Sequence, residues 1–222
     1  MKTGIIGITG RMGRVLSAMI PEAELSGGSS ARTSDEELRQ IISRSDVLID
    51  FSTPISSLKA LGVAAEYGVP AVVGTTGFSE AEFERIKVFS ESTAILYSSN
   101  FSPGIQLMAL LVEKCSRVLT EAEFDFSVID RHHRNKKDAP SGTALFLAES
   151  AARKAEIVSL REGSIPGEHT CSFTGKDEML SITHRAFNRE VFAVGALKCA
   201  SRIRGKDPKL YSMRDFLGDI LS

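Results

Sequence analysis

What most limits the fold of this chain is a pattern repeated along its first hundred residues. A short apolar run stops at a loop of small or polar residues, and a helical pattern follows. Residues 3–7 are short, apolar and β-branched, and lead into Gly7-Ile8-Thr9-Gly10-Arg11-Met12-Gly13, with residues 14–20 at helical spacing. Val47-Leu48-Ile49-Asp50-Phe51 stops at Ser52-Thr53-Pro54, and residues 57–67 read as a helix closed by Gly68. Residues 70–73 stop at Gly74-Thr75-Thr76-Gly77, and Ser79 caps a helix over 80–90. Residues 94–97 stop at Ser98-Ser99-Asn100-Phe101. Apolar strands alternating with helices predict an α/β fold, a Rossmann-like, doubly wound parallel sheet. Ligands of such sheets bind beyond the carboxyl ends of the strands. One polar loop there means little; successive ones point to a nucleotide cleft.

Strand, glycine turn and helix in that order are the setting of a dinucleotide fingerprint. Gly7 permits the tight turn, Gly10 admits backbone close to a pyrophosphate, and Gly13 lets helix and strand pack. The spacing is GxxGxxG, not GxGxxG, so a bare turn without ligand is the competing reading. An acid about 20 residues on would bind a ribose 2′-OH. That region reads Gly27-Gly28-Ser29-Ser30-Ala31-Arg32, with no acid. Ser29, Ser30 and Arg32 suit a 2′-phosphate, leaning toward NADPH; the alternative is a merely exposed Arg32.

After residue 102 the character changes. Residues 103–119 predict a long helix whose stripe of Ile105, Met108, Leu111 and Leu119 belongs to a core. Residues 123–130 alternate like a strand with one solvated face. Residues 143–156 read as helix, 169–174 and 179–184 as a hairpin, and 190–204 as a last helix. These predict a dinucleotide-binding domain over 1–102 and an α+β substrate and oligomerisation domain over 103–207. The second domain is built on a mixed or antiparallel sheet, and the tail, 208–222, docks back on the first. A net charge of −1 gives no pull toward nucleic acid or anionic membrane. Cys115, Cys171 and Cys199 form no CxxC pair, which fits a reducing cytoplasm. No run approaches the ~18 apolar residues of a membrane span, and the start of the chain lacks a signal-peptide pattern.

The densest chemistry is Asp130-Arg131-His132-His133-Arg134-Asn135-Lys136-Lys137-Asp138-Ala139-Pro140-Ser141-Gly142-Thr143-Ala144. Cations come first, then a helix start, and both attract anions. The stretch reads as a site for a small, multiply anionic ligand with proton donors built in. A solvated charge run followed by an ordinary N-cap is the bland alternative. Adjacent histidines with only Asp130 and Asp138 nearby are poor ligand spacing, so no metal is expected. A short-chain dehydrogenase would need Tyr-x-x-x-Lys, which none of Tyr67, Tyr97 and Tyr211 provides. A nucleotide-sensing regulator without turnover is the remaining rival.

His132-His133-x-x-Lys136-x-Asp138-x-Pro140-Ser141-Gly142-Thr143-Ala144 resembles the signature of the 4-hydroxy-tetrahydrodipicolinate (dihydrodipicolinate) reductase family. Gly7-x-x-Gly10-Arg11-Met12-Gly13, Asp50-Phe51-Ser52-x-Pro54, Gly74-Thr75-Thr76-Gly77 and Asn100-Phe101-Ser102 look like its cofactor-domain motifs. Gly167-Glu168-His169, Thr183-His184-Arg185-Ala186 and Gly195-Ala196-Leu197 look like its substrate-domain motifs. The resemblance covers most of the chain and implies NADH- or NADPH-dependent reduction of a cyclic imine–enamine dicarboxylate in diaminopimelate and lysine biosynthesis, usually by a homotetramer. It implies that His132 gives or takes a proton and that Lys136 is the general acid. It implies that His133, Gly142 and Thr143 hold substrate. The cofactor would be lined by Gly7, Ile8, Thr9, Gly10, Arg11, Met12, Gly74, Thr75, Thr76, Ser98, Ser99, Asn100 and Phe101. The chain departs from the family pattern in a shorter stretch ahead of Val47, where adenosine-ribose contacts belong, and in Asp130, where Glu is frequent.

Overall fold

The computed structural model describes residues 1–119 and 123–216. It divides into two compact units, Met1–Phe101 with Phe192–Ser222, and Ser102–Val191.

The first unit is built on a six-stranded sheet. Its strands are β1 (Thr3–Ile6), β2 (Leu25–Ser29), β3 (Val47–Asp50), β4 (Ala71–Val73), β5 (Ala94–Tyr97) and, from the end of the chain, β10 (Lys209–Tyr211). The order is β10-β5-β4-β3-β1-β2, and every pairing is parallel. Successive side chains on a strand face opposite ways, so both faces are apolar. Ile5, Val47, Ile49, Val72 and Leu96 join one core, and Ile6, Leu48, Ala71, Val73 and Ile95 the other. The helices are α1 (Arg11–Met19), α2 (Asp35–Ser43), α3 (Pro54–Tyr67) and α4 (Glu80–Ser90). Local chemistry starts and stops them. Ser34 with Glu37 and Ser79 with Glu82 form capping boxes. Thr53 caps α3 ahead of Pro54, and Gly68, at φ 66°, ends it in the left-handed conformation. The strand order reverses direction at β1 and β3, and that switch point is where open α/β sheets bind ligands.

The second unit holds α5 (Pro103–Leu119), β6 (Asp125–His132), α6 (Gly142–Ser150), β7 (Glu156–Arg161), β8 (Gly167–Thr174) and β9 (Met179–Ala186). The sheet order is β7-β6-β8-β9, with β6–β7 parallel and the other pairs antiparallel. Phe126, Val128, Cys171 and Phe173 face α5 and α6 across a core with Ile105, Met108, Val112, Ala144 and Leu147.

The structure corrects several expectations. The helix expected over 143–156 ends at Ser150, and residues from Glu156 form β7. β2 and α2 were not foreseen. The tail contributes a strand, β10, and Met213 and Phe216 enter the first unit's core; 217–222 lie outside the described residues. The boundary at 207 moves as well. The last helix, α7 (Glu190–Ile203), buries Ala193, Ala196, Cys199, Ala200 and Ile203 in the first unit's core, so the chain from Phe192 belongs to that unit. Small residues on one helix face permit that close packing. No helix among the described residues is long and apolar enough to cross a membrane.

Candidate active site

In the first unit, β1 delivers Gly7 at φ 85°, and the Gly7 and Ile8 N–H groups both donate to the Ser29 carbonyl at 3.0 and 2.9 Å. A Cβ on Gly7 would lie 2.7 Å from the Phe51 carbonyl oxygen, and one on Gly13 would lie 2.2 Å from the Gly7 carbonyl oxygen. Only glycine lets β1, the loop after β3 and α1 approach this closely. Gly10 is the N-cap of α1 and no side chain caps that helix. Its backbone N–H groups therefore suit an anion, as the phosphates of a dinucleotide require. Thr9 and Arg11 are exposed at this turn, while Ile8 and Met12 pack partly into the core.

The loops after β3, β4 and β5 are tied together behind this rim. Asp50 is buried; its carboxylate accepts from Ser52 N at 3.0 Å and Ser52 Oγ at 2.5 Å. Burial pushes its pKa up. Ser52 N also donates to Thr75 Oγ1 at 2.7 Å. Gly74 leaves room for the Phe51 ring, which a Cβ there would meet at 2.2 Å. Ser98 Oγ donates to the Asn100 carbonyl at 2.7 Å, and Phe101 stacks edge-on against Phe51. Thr75, Ser98, Asn100 and Phe101 are thus buried and shape the loops, whereas Thr76 is exposed and Gly74 and Ser99 are half-buried.

In the second unit, the alternation Phe126, Val128, Asp130, His132 along β6 turns an apolar face into a polar one at the strand's end. Register completes the cluster: Asp130 pairs with Ser159 on β7 and His169 on β8, and His132 pairs with Arg161. His132 Nδ1 lies 3.0 Å from Asp130 Oδ2, Arg161 Nη1 donates to the same oxygen at 3.1 Å, and Ser159 Oγ donates to Oδ1. Burial works to raise the pKa of Asp130. The Ser159 hydroxyl, Arg161 and His132 outweigh it and hold the carboxyl below its ordinary value. Burial, then Lys136, lower the pKa of His132 against the pull of Asp130. His169, whose ring meets His132 edge-on at 5.1 Å, is pushed down to about 3, chiefly by burial, and so is neutral at any ordinary pH.

Past the strand, the His133 N–H donates to the Ile165 carbonyl, and a turn brings the Lys136 N–H to the His133 carbonyl at 3.0 Å. Lys136 Nζ lies 2.8 Å from both carboxylate oxygens of Asp138. Ser141 caps α6 by accepting from Ala144 N, and its hydroxyl meets His169 Nε2 at 3.3 Å. Gly142 and Thr143 open that helix, and a Cβ on Gly142 would meet nothing within 4 Å.

Residues 1–101 match the family model described as "Dihydrodipicolinate reductase, N-terminus", and residues 104–217 match "Dihydrodipicolinate reductase, C-terminus". The chain belongs to the dihydrodipicolinate reductase family. Relatives named 4-hydroxy-tetrahydrodipicolinate reductase include one from Rickettsia akari (strain Hartford), 35% identical over 96% of this chain and 94% of its own. Another, from Thermosipho africanus (strain TCF52B), is 36% identical over 98% of each. The fold resembles a dipicolinate-bound dihydrodipicolinate reductase from Paenisporosarcina sp. TG-14, with TM-score 0.76 and 21% identity over 95% of this chain and 97% of that one.

Within this family frame, the residues that sequence reasoning missed are Ser159 and Arg161; His169 stands out only within the Gly167-Glu168-His169 motif, with no partner assigned. Asp130 reads in the sequence as the start of the charged stretch, as a poor metal ligand and as a variant position, but not as the partner of His132. Asp130, His132 and His169 offer donor atoms within 4.8 Å of one another. Arg161 puts a full positive charge on the same carboxylate oxygen that meets His132, so the cluster favours a hydrogen-bonded histidine over a cation.

Proposed function

We propose that this chain reduces 4-hydroxy-tetrahydrodipicolinate, by way of dihydrodipicolinate, to tetrahydrodipicolinate in the cytoplasmic diaminopimelate and lysine pathway. The net reaction consumes one NAD(P)H and one proton and releases NAD(P)⁺ and water. The observation that carries the reading is the polar end of β6, with His132 held against Asp130, Lys136 following at the turn, and the start of α6 just beyond. A dicarboxylate ligand suits that cationic stretch and helix start, and the Paenisporosarcina relative is described with dipicolinate bound.

The glycine rim at Gly7, Gly10 and Gly74, with the start of α1 left without a side-chain cap, fits a nicotinamide dinucleotide, which when bound supplies the hydride. The chain's own residues do the rest. Lys136 serves as general acid, delivering the proton that balances the hydride, and His132 assists that transfer. His133, Gly142 and Thr143 hold the substrate carboxylates. The turn after β2 carries Ser30 and exposed Arg32 and no acid until α2, so NADPH is the preferred cofactor. A coupled assay tests this, with substrate made in place from pyruvate and aspartate semialdehyde by the preceding synthase. Oxidation of NADPH, faster than NADH, should require both proteins. If neither cofactor is oxidised, the proposal fails.

The homotetramer follows from the same reading. The face of the second sheet turned away from α5 and α6 carries Val158, Ile129, Thr170 and Thr183 in one row across β7, β6, β8 and β9. Val158 is 49% exposed, and small hydroxyls beside β-branched residues suit packing against a second copy. Light scattering should give a mass about four times 24.0 kDa; a monomer would overturn this.

A further inference from the structure

We infer that Asp130 is a positioning residue for His132: its carboxylate, anchored by Arg161 and Ser159, keeps the imidazole protonated at Nδ1 and makes Nε2 the nitrogen that meets the ligand. Asp130 is fully buried, and its two oxygens are met by Ser159 Oγ, Arg161 Nη1 and His132 Nδ1. An ionised carboxylate only accepts hydrogen bonds. The proton in the Nδ1–Oδ2 contact therefore belongs to the ring. A neutral His132 then carries its lone pair on Nε2, and a cationic one carries a second proton there. Gly167, at the start of β8, lies beside that nitrogen; a Cβ on it would come within 3.2 Å of Nε2. A glycine at this point keeps the working nitrogen uncrowded.

Arg161 extends the arrangement. Its Nη2 donates to the Asp138 carbonyl at 2.6 Å, and the Asp138 side chain holds Lys136. One guanidinium thus braces both the carboxylate that orients His132 and the loop that carries Lys136. A plain buried ion pair would explain the contacts of Asp130 with Arg161 and Ser159. It would not require the histidine to adopt one tautomer.

The charged and titratable groups facing His132 are Asp130 on its own strand, Lys136 on the following loop, Arg161 on β7 and His169 on β8. Asp130 alone among them favours the imidazolium. Removing its charge therefore moves the histidine's titration to lower pH.

The first test reads the wild-type network directly and needs no turnover. Nitrogen-15 spectra of histidine-labelled wild-type protein, with His132 assigned by its loss in His132→Gln, should show the neutral ring as the Nδ1–H tautomer. An Nε2–H tautomer overturns the inference. The second test follows kcat, KM and the pH profile of Asp130→Asn. kcat should fall roughly 10–100-fold with KM nearly unchanged, and the limb due to His132 should move down by about one pH unit. Asp130→Glu, which restores the carboxylate, should recover most of the rate and the limb. A wild-type kcat and profile in Asp130→Asn also overturns the inference, and if that variant does not fold, the tautomer decides. The kinetic arm rests on the reductase reading. Absence of wild-type turnover would sink that reading and leave the tautomer result standing.

Discussion

Replacing Lys136 or His132 by alanine is expected to lower kcat by roughly 10²–10⁴-fold, the range for loss of a general acid–base group. This corresponds to about 3–5 kcal/mol of transition-state stabilisation. The two variants should differ in their side effects. Lys136 projects from a turn, and its visible partner is the exposed carboxylate of Asp138. Its loss costs the fold little, because exposed ion pairs contribute at most about 1 kcal/mol. His132 is 7% exposed and sits over Asp130 and against His169. Truncating it leaves the carboxylate with Arg161 and Ser159 and opens a gap, so Tm should drop along with the rate. Neither residue belongs to the first unit, which carries the glycine rim. Cofactor Kd, read by fluorescence of bound NADPH, should stay within about twofold of wild type while turnover collapses. Near-wild-type kcat in both variants would remove these residues from the chemistry. Loss of cofactor binding alongside kcat would show a damaged fold.

The first unit was largely legible because its central strands announce themselves. Val47, Leu48 and Ile49, or Ala71, Val72 and Val73, are apolar at every position, as a parallel strand buried on both faces must be. β2 escaped for the opposite reason. Leu25-Ser26-Gly27-Gly28-Ser29 has one large apolar residue and lies at the sheet edge, with Gly27 at φ 145°. α2 did carry a signal, the Ser34 and Glu37 capping box ahead of Leu38 and Ile42, and it was overlooked. β7 lies beyond the helix expected over 143–156 in all but Glu156, and it gave no strand signal because Val158 and Leu160 face one way while Ile157, Ser159 and Arg161 face the other. Neither face is cleanly apolar, since one end of the strand serves the polar cluster.

That cluster shows what a linear reading cannot supply. His132 and Lys136 stand out within one short motif. Ser159, Arg161 and His169 become their neighbours only through strand register across β6, β7 and β8. A partial clue was present. The alternation of Phe126, Val128, Asp130 and His132 puts an acid and a histidine on an otherwise apolar face, and buried polar groups there need partners. The clue marks the need without naming the residues that meet it.

Gly195→Ala is expected to be the most damaging single methyl in the first unit. A Cβ there would lie 1.8 Å from the Phe101 carbonyl oxygen and 2.9 Å from its carbonyl carbon. Both partners are backbone, so no side chain can swing aside, and α7 must move off the loop after β5. Alanine's better helix propensity offsets up to about 1 kcal/mol, but overpacking costs typically 1–3 kcal/mol and more when backbone must shift. The net should be a loss of about 2–3 kcal/mol, or roughly 4–12 °C in Tm for a chain of this size. The disturbance should reach function. Phe101 is 1% exposed and packs edge-on against Phe51, whose ring fills the space left by Gly74. Displacing Phe101 therefore loosens the loops after β3, β4 and β5 together. Cofactor Kd should rise about tenfold, equivalent to about 1.4 kcal/mol, more than kcat falls at saturating cofactor. Gly62→Ala is the control. It lies within α3, and its Cβ would meet the Phe89 ring at an ordinary 3.5 Å. The same substitution there should leave Kd alone and raise stability by up to about 1 kcal/mol. If both variants melt together and bind cofactor alike, the close approach of α7 to Phe101 is not what holds the cofactor rim in place.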